Sequence, residues 1–152
     1  MSDTTTLWLA STHAFATLAM VGLIWFVQVV HYPLFSAVGE QGYAAYQSSH
    51  MARTGWVVGP LMLTEAALTA CLVWRCADTA MAGPALLGLL LLLIVWASTA
   101  VFSVPAHGRL SAGFDHDTLR RLVNWNWIRT LAWTARGGLS LYLLAALARG
   151  TS

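Results

Sequence analysis

Apolar residues in this chain gather into four runs, at about 7–30, 56–74, 84–104 and 122–147, parted by short polar connections. Each run is close to the ~20 residues that an α-helix needs to cross hydrocarbon. The fourth helix is expected to start earlier and cover 118–148, with Asp117 as N-cap and Asp115 and Asp117 facing the positive end of the helix dipole. In the first connection Tyr43, Tyr46, His50 and Arg53 recur at helical spacing between Gly42 and Gly55. That spacing predicts a separate short amphipathic helix over 42–54, lying across one end of the bundle. The expected fold is an all-α membrane protein, a four-transmembrane-helix antiparallel bundle forming a single domain over 1–152.

Composition narrows the class further. Of 152 residues, 58% are apolar and 9% charged, which predicts an integral membrane protein whose main partner is the lipid bilayer. The polar start, Ser2 to Thr6, carries no basic residue, and the run behind it is too long for a secretory signal peptide, so it reads as a retained helix. All eight basic residues are arginine. Arg53, Arg109, Arg120 and Arg121 fall in the first and third connections, against Arg75 and Arg149 at the opposite side. This bias predicts cytoplasmic first and third loops and both termini outside, in what is expected to be a bacterial inner membrane. The arginines form no continuous patch, so nucleic acid is not an expected partner. Homo-oligomerisation stays open. Cys71 and Cys76 point to different helix faces and read as small buried hydrophobes. Trp8 and Trp74 mark one membrane edge and Trp56, Trp125 and Trp127 the other, with Trp25, Trp96 and Trp133 deeper.

Residues three or four apart share a helix face, and lipid cannot solvate polar groups, so polar stripes should turn into the bundle. One stripe is His13, Thr17, Met20, Ile24, Gln28 and His31. The second is Val58, Met62, Glu65, Thr69 and Cys76. The third is Leu92, Trp96, Thr99 and Ser103, which Pro105 is expected to break just before His107. The fourth is Leu122, Asn126, Arg129, Trp133 and Arg136. Ionisable side chains in hydrocarbon cost roughly 2.5 to 3.5 kcal/mol each on insertion scales, so Glu65, Arg129 and Arg136 need partners. At 1.5 Å per residue Glu65 lies roughly 8 to 14 Å in from the side of loops one and three, and Arg129 roughly 10 Å below Leu122. An ion pair between these two is the expectation. Arg136 is left to a backbone carbonyl or the far surface, and His13 lies away from the site.

The candidate site is then a pocket near loops one and three. His31, Glu65, His107, Asn126 and Arg129 are the candidate catalytic residues, and Gln28, Tyr46, His50, Arg53, Trp125 and Trp133 the candidate ligand contacts. Structural alternatives stand beside these roles: interfacial histidines bonded to carbonyls, a Glu65–Arg129 pair that only fixes helix register, and aromatics that only anchor or pack. Gly137 and Gly138 read as a close helix contact.

His31-Tyr32-Pro33 after the first helix, Pro105 to Leu110 after the third, and Trp125 to Arg129 at the head of the fourth resemble the anthrone-oxygenase-like four-helix membrane proteins. The resemblance spans the whole chain, with His107 standing where that family usually has asparagine. It implies an oxidoreductase or oxygenase that uses molecular oxygen on polycyclic phenolic anthrones, although many bacterial members have no assigned activity.

The residues support two functional expectations. In the first, an apolar aromatic or quinone-like small molecule enters from lipid, a histidine or Glu65 acts as base, and Arg129 and Asn126 stabilise the developing oxyanion. A metal variant has His31, His50 and His107 holding copper, iron or zinc. Haem ligation across helices is also conceivable, although His13 and His31 stand roughly 27 Å apart along the helix and cannot share one haem. In the second expectation the chain is a non-catalytic membrane module, a small transporter subunit, assembly partner or ligand-binding protein with a structural Glu/Arg pair.

Overall fold

The computed structural model describes residues 4–150, so Ser2 and Asp3 of the polar start lie outside the described residues. Four long helices fill it: α1 (Thr4–Ala37), α2 (Glu40–Cys76), α3 (Ala82–Ala112) and α4 (His116–Arg149). Each is long and apolar enough to cross a membrane, and they alternate in direction. Inward-facing stripes make the core, with Met20, Ile24, Val95 and Trp133 at its centre. The outer surface is apolar too: Trp56 is 82% exposed, Leu63 64% and Val101 61%. Such an apolar outer surface is compatible with an integral membrane protein. Of the two cysteines expected to be buried, Cys76 is, whereas Cys71 lies on the outer face of α2.

Three expectations about the elements are corrected. The segment 42–54 is not a separate helix but the first part of α2, where helical structure runs unbroken from Tyr43 to Cys76. His50 therefore stands on the same rigid rod as Glu65. Pro105 does not break α3. A proline ring would press on the carbonyl four residues back, and here a wide π turn, Thr99–Ser103, opens the helix at that carbonyl so that the helix continues to Ala112. The same device, Val27–His31, precedes Pro33 in α1. A π turn adds one residue and rotates the rest of the helix about its axis. On α3 the buried face accordingly steps from Ser98 to Ser103 and on to His107 and Leu110. Trp96, expected on this stripe, faces outward at 39% exposure.

The N-cap of α4 is Asp115, not Asp117: its carboxylate accepts from the backbone N–H groups of Asp117 and Thr118, at 3.3 and 3.0 Å. Asp117 sits in the first turn and pairs with Arg120. Hydrogen bonds from Thr118, first its side chain and then its N–H, hold the exposed Asp115 carboxyl below the usual carboxylate range. Gly39, with φ of 80°, supplies the left-handed residue that turns the chain from α1 into α2. Close packing of α1 on α4 depends on Gly137, where an added Cβ would stand 3.0 Å from Val21 Cγ2. Gly138 has open space beside it.

Candidate functional site

The buried polar groups divide into two assemblies. The deeper one contains Glu65, but its partner is Arg136 rather than Arg129. Arg136 Nη2 lies 3.2 Å from Glu65 Oε1 and donates to Thr69 Oγ1 at 3.2 Å, while Nη1 donates to the Gly88 carbonyl. Trp133 Nε1 donates to the other Glu65 oxygen at 2.9 Å. His13, expected to stand apart, bonds Thr69 Oγ1 at 3.2 Å and lies 3.4 Å from Arg136 Nη2. All four helices contribute, and Glu65 and Arg136 are sealed from solvent. The expected Glu65–Arg129 pair failed because depth along the axis left two arginines of α4, seven residues apart on one face, as rivals for one carboxylate.

The second assembly lies toward the end formed by the α1–α2 and α3–α4 connections. His31 Nε2 and His50 Nδ1 are 2.9 Å apart, and Thr54 Oγ1 is 3.1 Å from the same His50 nitrogen. His107 is held at both ring nitrogens, by the Tyr32 hydroxyl at Nε2 (2.9 Å) and the Gln47 amide nitrogen at Nδ1 (2.8 Å). With Gln47 donating to Nδ1, His107 carries its proton on Nε2 and donates to the Tyr32 oxygen. The phenolic hydrogen of Tyr32 is then available to another acceptor. Phe35, fully buried, packs edge-on against both the His31 and His50 rings, with centroids at 5.1 and 5.0 Å.

A ladder of neutral groups fixes Arg129 behind this cluster. Gln28 donates to the Val123 carbonyl and accepts from Asn126 Nδ2 at 2.9 Å. Asn126 Oδ1 in turn accepts from Arg129 Nη1 at 3.1 Å, and the same Nη1 donates to Ser103 Oγ at 3.1 Å. The Arg129 guanidinium lies 5.2 Å from the Trp133 ring centroid, and its Nε has no partner. Among the described residues no carboxylate pairs with it. Gln28 and Asn126 thus serve as supports for Arg129.

A cavity of about 270 Å³ joins these elements. Its polar wall includes Tyr32, His50, Ser103, His107 and Arg129, and its apolar wall includes Met20, Ile24 and Val58. Gly55 and Gly59 leave room on the α2 side. Glu65 does not line it. A second, outer recess of about 240 Å³ holds His31, Tyr46, Ser49 and Arg53, and His50 and Thr54 border both spaces. Arg53 is exposed and donates to Ser49. Of the two tryptophans expected to touch a ligand, Trp125 turns outward and stacks on Phe102 at 4.3 Å, and Trp133 is spent on Glu65 and the core.

Among the described residues no group of three His, Cys, Asp or Glu side chains is arranged to hold a metal ion. The set His31, His50 and His107 fails as it stands because Tyr32 and Gln47 occupy both nitrogens of His107. Tyr32, Phe35 and Gln47 were missed as site residues. Gln47 did carry a signal, since it shares a helix face with Tyr43 and His50. Comparison with protein-family models, curated proteins and solved structures finds no match to this chain.

Proposed function

We propose that the chain is an integral membrane protein that takes the oxygen-bearing ring of an apolar aromatic or quinone-like molecule from the bilayer into the cavity between Tyr32, His107 and Arg129. The observation that carries this reading is Arg129, a buried cation with neutral partners only, on the wall of an otherwise largely apolar space. Burying a charge costs several kcal/mol even after relaxation, a cost that an oxyanion or carbonyl oxygen in the cavity would offset. Convergent polar groups in an apolar cavity are the usual form of a small-molecule site. At about 270 Å³ the space suits a ring with its apolar remainder left between the helices.

In its enzymatic form this reading is an oxidoreductase or oxygenase with molecular oxygen as oxidant. His50, at the edge of the cavity, takes a phenolic proton, and Arg129 and the Tyr32 hydroxyl hydrogen-bond the phenolate that results. Glu65 has no part in it. The resemblance to anthrone oxygenases in the motifs around His31, His107 and Arg129 agrees with this chemistry. The second reading, a non-catalytic membrane module, is favoured by the Glu65–Arg136 assembly, which ties all four helices together without touching the cavity.

Titration of the purified full-length chain with a naphthol and a short-chain benzoquinone, followed by oxygen uptake, tests the proposal. Saturable binding at one site per chain, weakened roughly 10- to 150-fold in Arg129→Gln, is expected. Binding of neither probe, in a protein that remains folded, would overturn the pocket reading; binding without oxygen uptake would leave the non-catalytic one.

A further inference from the structure

A separate recess of about 150 Å³ lies on the outside of the bundle, between α3 and α4 near the end that carries the histidines. Arg109 of α3 and Thr118 and Arg121 of α4 line its outer part, and Val101, Phe102 and Trp125 its inner part. Val101 and Arg109 are eight residues apart on one helix face, which places charge and hydrocarbon roughly 12 Å apart along the groove. Phe102 and Trp125 are stacked in parallel, 2° between planes, and form a flat apolar plate between the two helices.

The charges at the outer end are only partly answered. Arg120 is taken by Asp117 at 2.7 Å. Asp115 acts on Arg121 across space, yet its two oxygens are already engaged in capping α4. Among the described residues Arg109 has no carboxylate partner. Two guanidinium groups from different helices therefore face one small recess whose inner wall is exposed apolar surface, with Val101 at 61% and Trp125 at 46%.

We infer that this groove binds an anionic phospholipid, its phosphate between Arg109 and Arg121 and an acyl chain along Val101, Phe102 and Trp125. Basic recesses between membrane helices recognise such headgroups, each arginine contributing by charge near the surface. A free phosphate would use the outer end and ignore the plate. A zwitterionic lipid would set its own cation among the arginines and gain less. The inference needs the chain to lie in a bilayer but needs nothing in the central cavity.

Native mass spectrometry of the full-length chain in detergent, titrated with phosphatidylglycerol or phosphatidylcholine, tests it. One phosphatidylglycerol per chain should be retained in preference to phosphatidylcholine, and inorganic phosphate should not displace it. Arg109→Gln or Arg121→Gln should weaken retention roughly fivefold, and both together about 30-fold. Arg120→Gln should leave it unchanged, and Arg109→Lys combined with Arg121→Lys should keep most of it. Unfolding midpoints read in parallel exclude misfolding as the cause of any loss. Equal retention of the two lipids, an unaffected double Gln variant, or displacement by inorganic phosphate would each overturn the inference.

Discussion

Arg129 and Arg136 stand on the same face of α4, two turns apart, and both are buried, yet they are satisfied in opposite ways. Arg136 has a carboxylate, a backbone carbonyl and a hydroxyl around it, drawn from α2 and α3. Arg129 has one amide oxygen, the Ser103 and Tyr32 hydroxyls and an aromatic face, with a cavity beside it. The first arrangement is closed in charge: a carboxylate of the protein answers the cation, so its role is to hold helices in register, although its Nε, like that of Arg129, has no partner. The second is open, because charge has been placed in a dry interior without its counter-charge. Ion pairs that only stabilise are often replaceable by apolar packing, whereas removing one partner is costly. That asymmetry separates the two arginines experimentally.

The largest effect is expected at the closed assembly. Glu65→Ala leaves Arg136 charged and unpaired in the core and should cost about 3–5 kcal/mol of stability, measured by denaturant unfolding in detergent. Arg129→Gln should behave differently, keeping near-normal stability but losing about 1.5–3 kcal/mol of probe binding, the usual worth of a hydrogen bond to a charged group. If Arg129→Gln instead unfolds the protein as Glu65→Ala does, the distinction between the two assemblies fails. Tyr32→Phe removes one neutral donor and should weaken probe binding by about 1 kcal/mol, read from the same titration. The smallest effect lies outside both assemblies. The depressed carboxyl of Asp115 contributes stability above its unfolded pKa, and this is lost as pH falls through the lower folded value. Asp115→Asn keeps the cap and should flatten that acid limb of a thermal-unfolding profile, without altering probe binding.

The stripe of α4, and that of α1 up to its π turn, were legible because an uninterrupted helical stretch repeats every 3.6 residues, and Thr17, Ile24, Asn126, Arg129 and Arg136 obey that period. That of α3 was legible only as far as Leu92. Past it the buried face goes on through Val95 and Ser98, so a step of four residues from Leu92 places Trp96 inside when it is outside. His107 was found despite this, because chemistry singled it out rather than phase. Tyr32 was missed because it lies just beyond the π turn of α1, outside the stripe that a regular helical period marks. The loop helix was misjudged for another reason. Polar composition over 42–54 marks the more polar end of one long helix, not a separate element.

By itself the sequence determined that the chain forms four long apolar helices and that the ionisable side chains deep within them, Glu65, Arg129 and Arg136, turn inward, away from the apolar outer face. Only the tertiary structure decided which cation met the buried Glu65 carboxylate. Helical period assigns a face and an approximate depth, but a hydrogen bond is made or lost within about half an ångström, and the rotation of α2 and α3 against α4 sets that distance. The same rotation gave Glu65 to Arg136 and left Arg129 at the wall of the cavity.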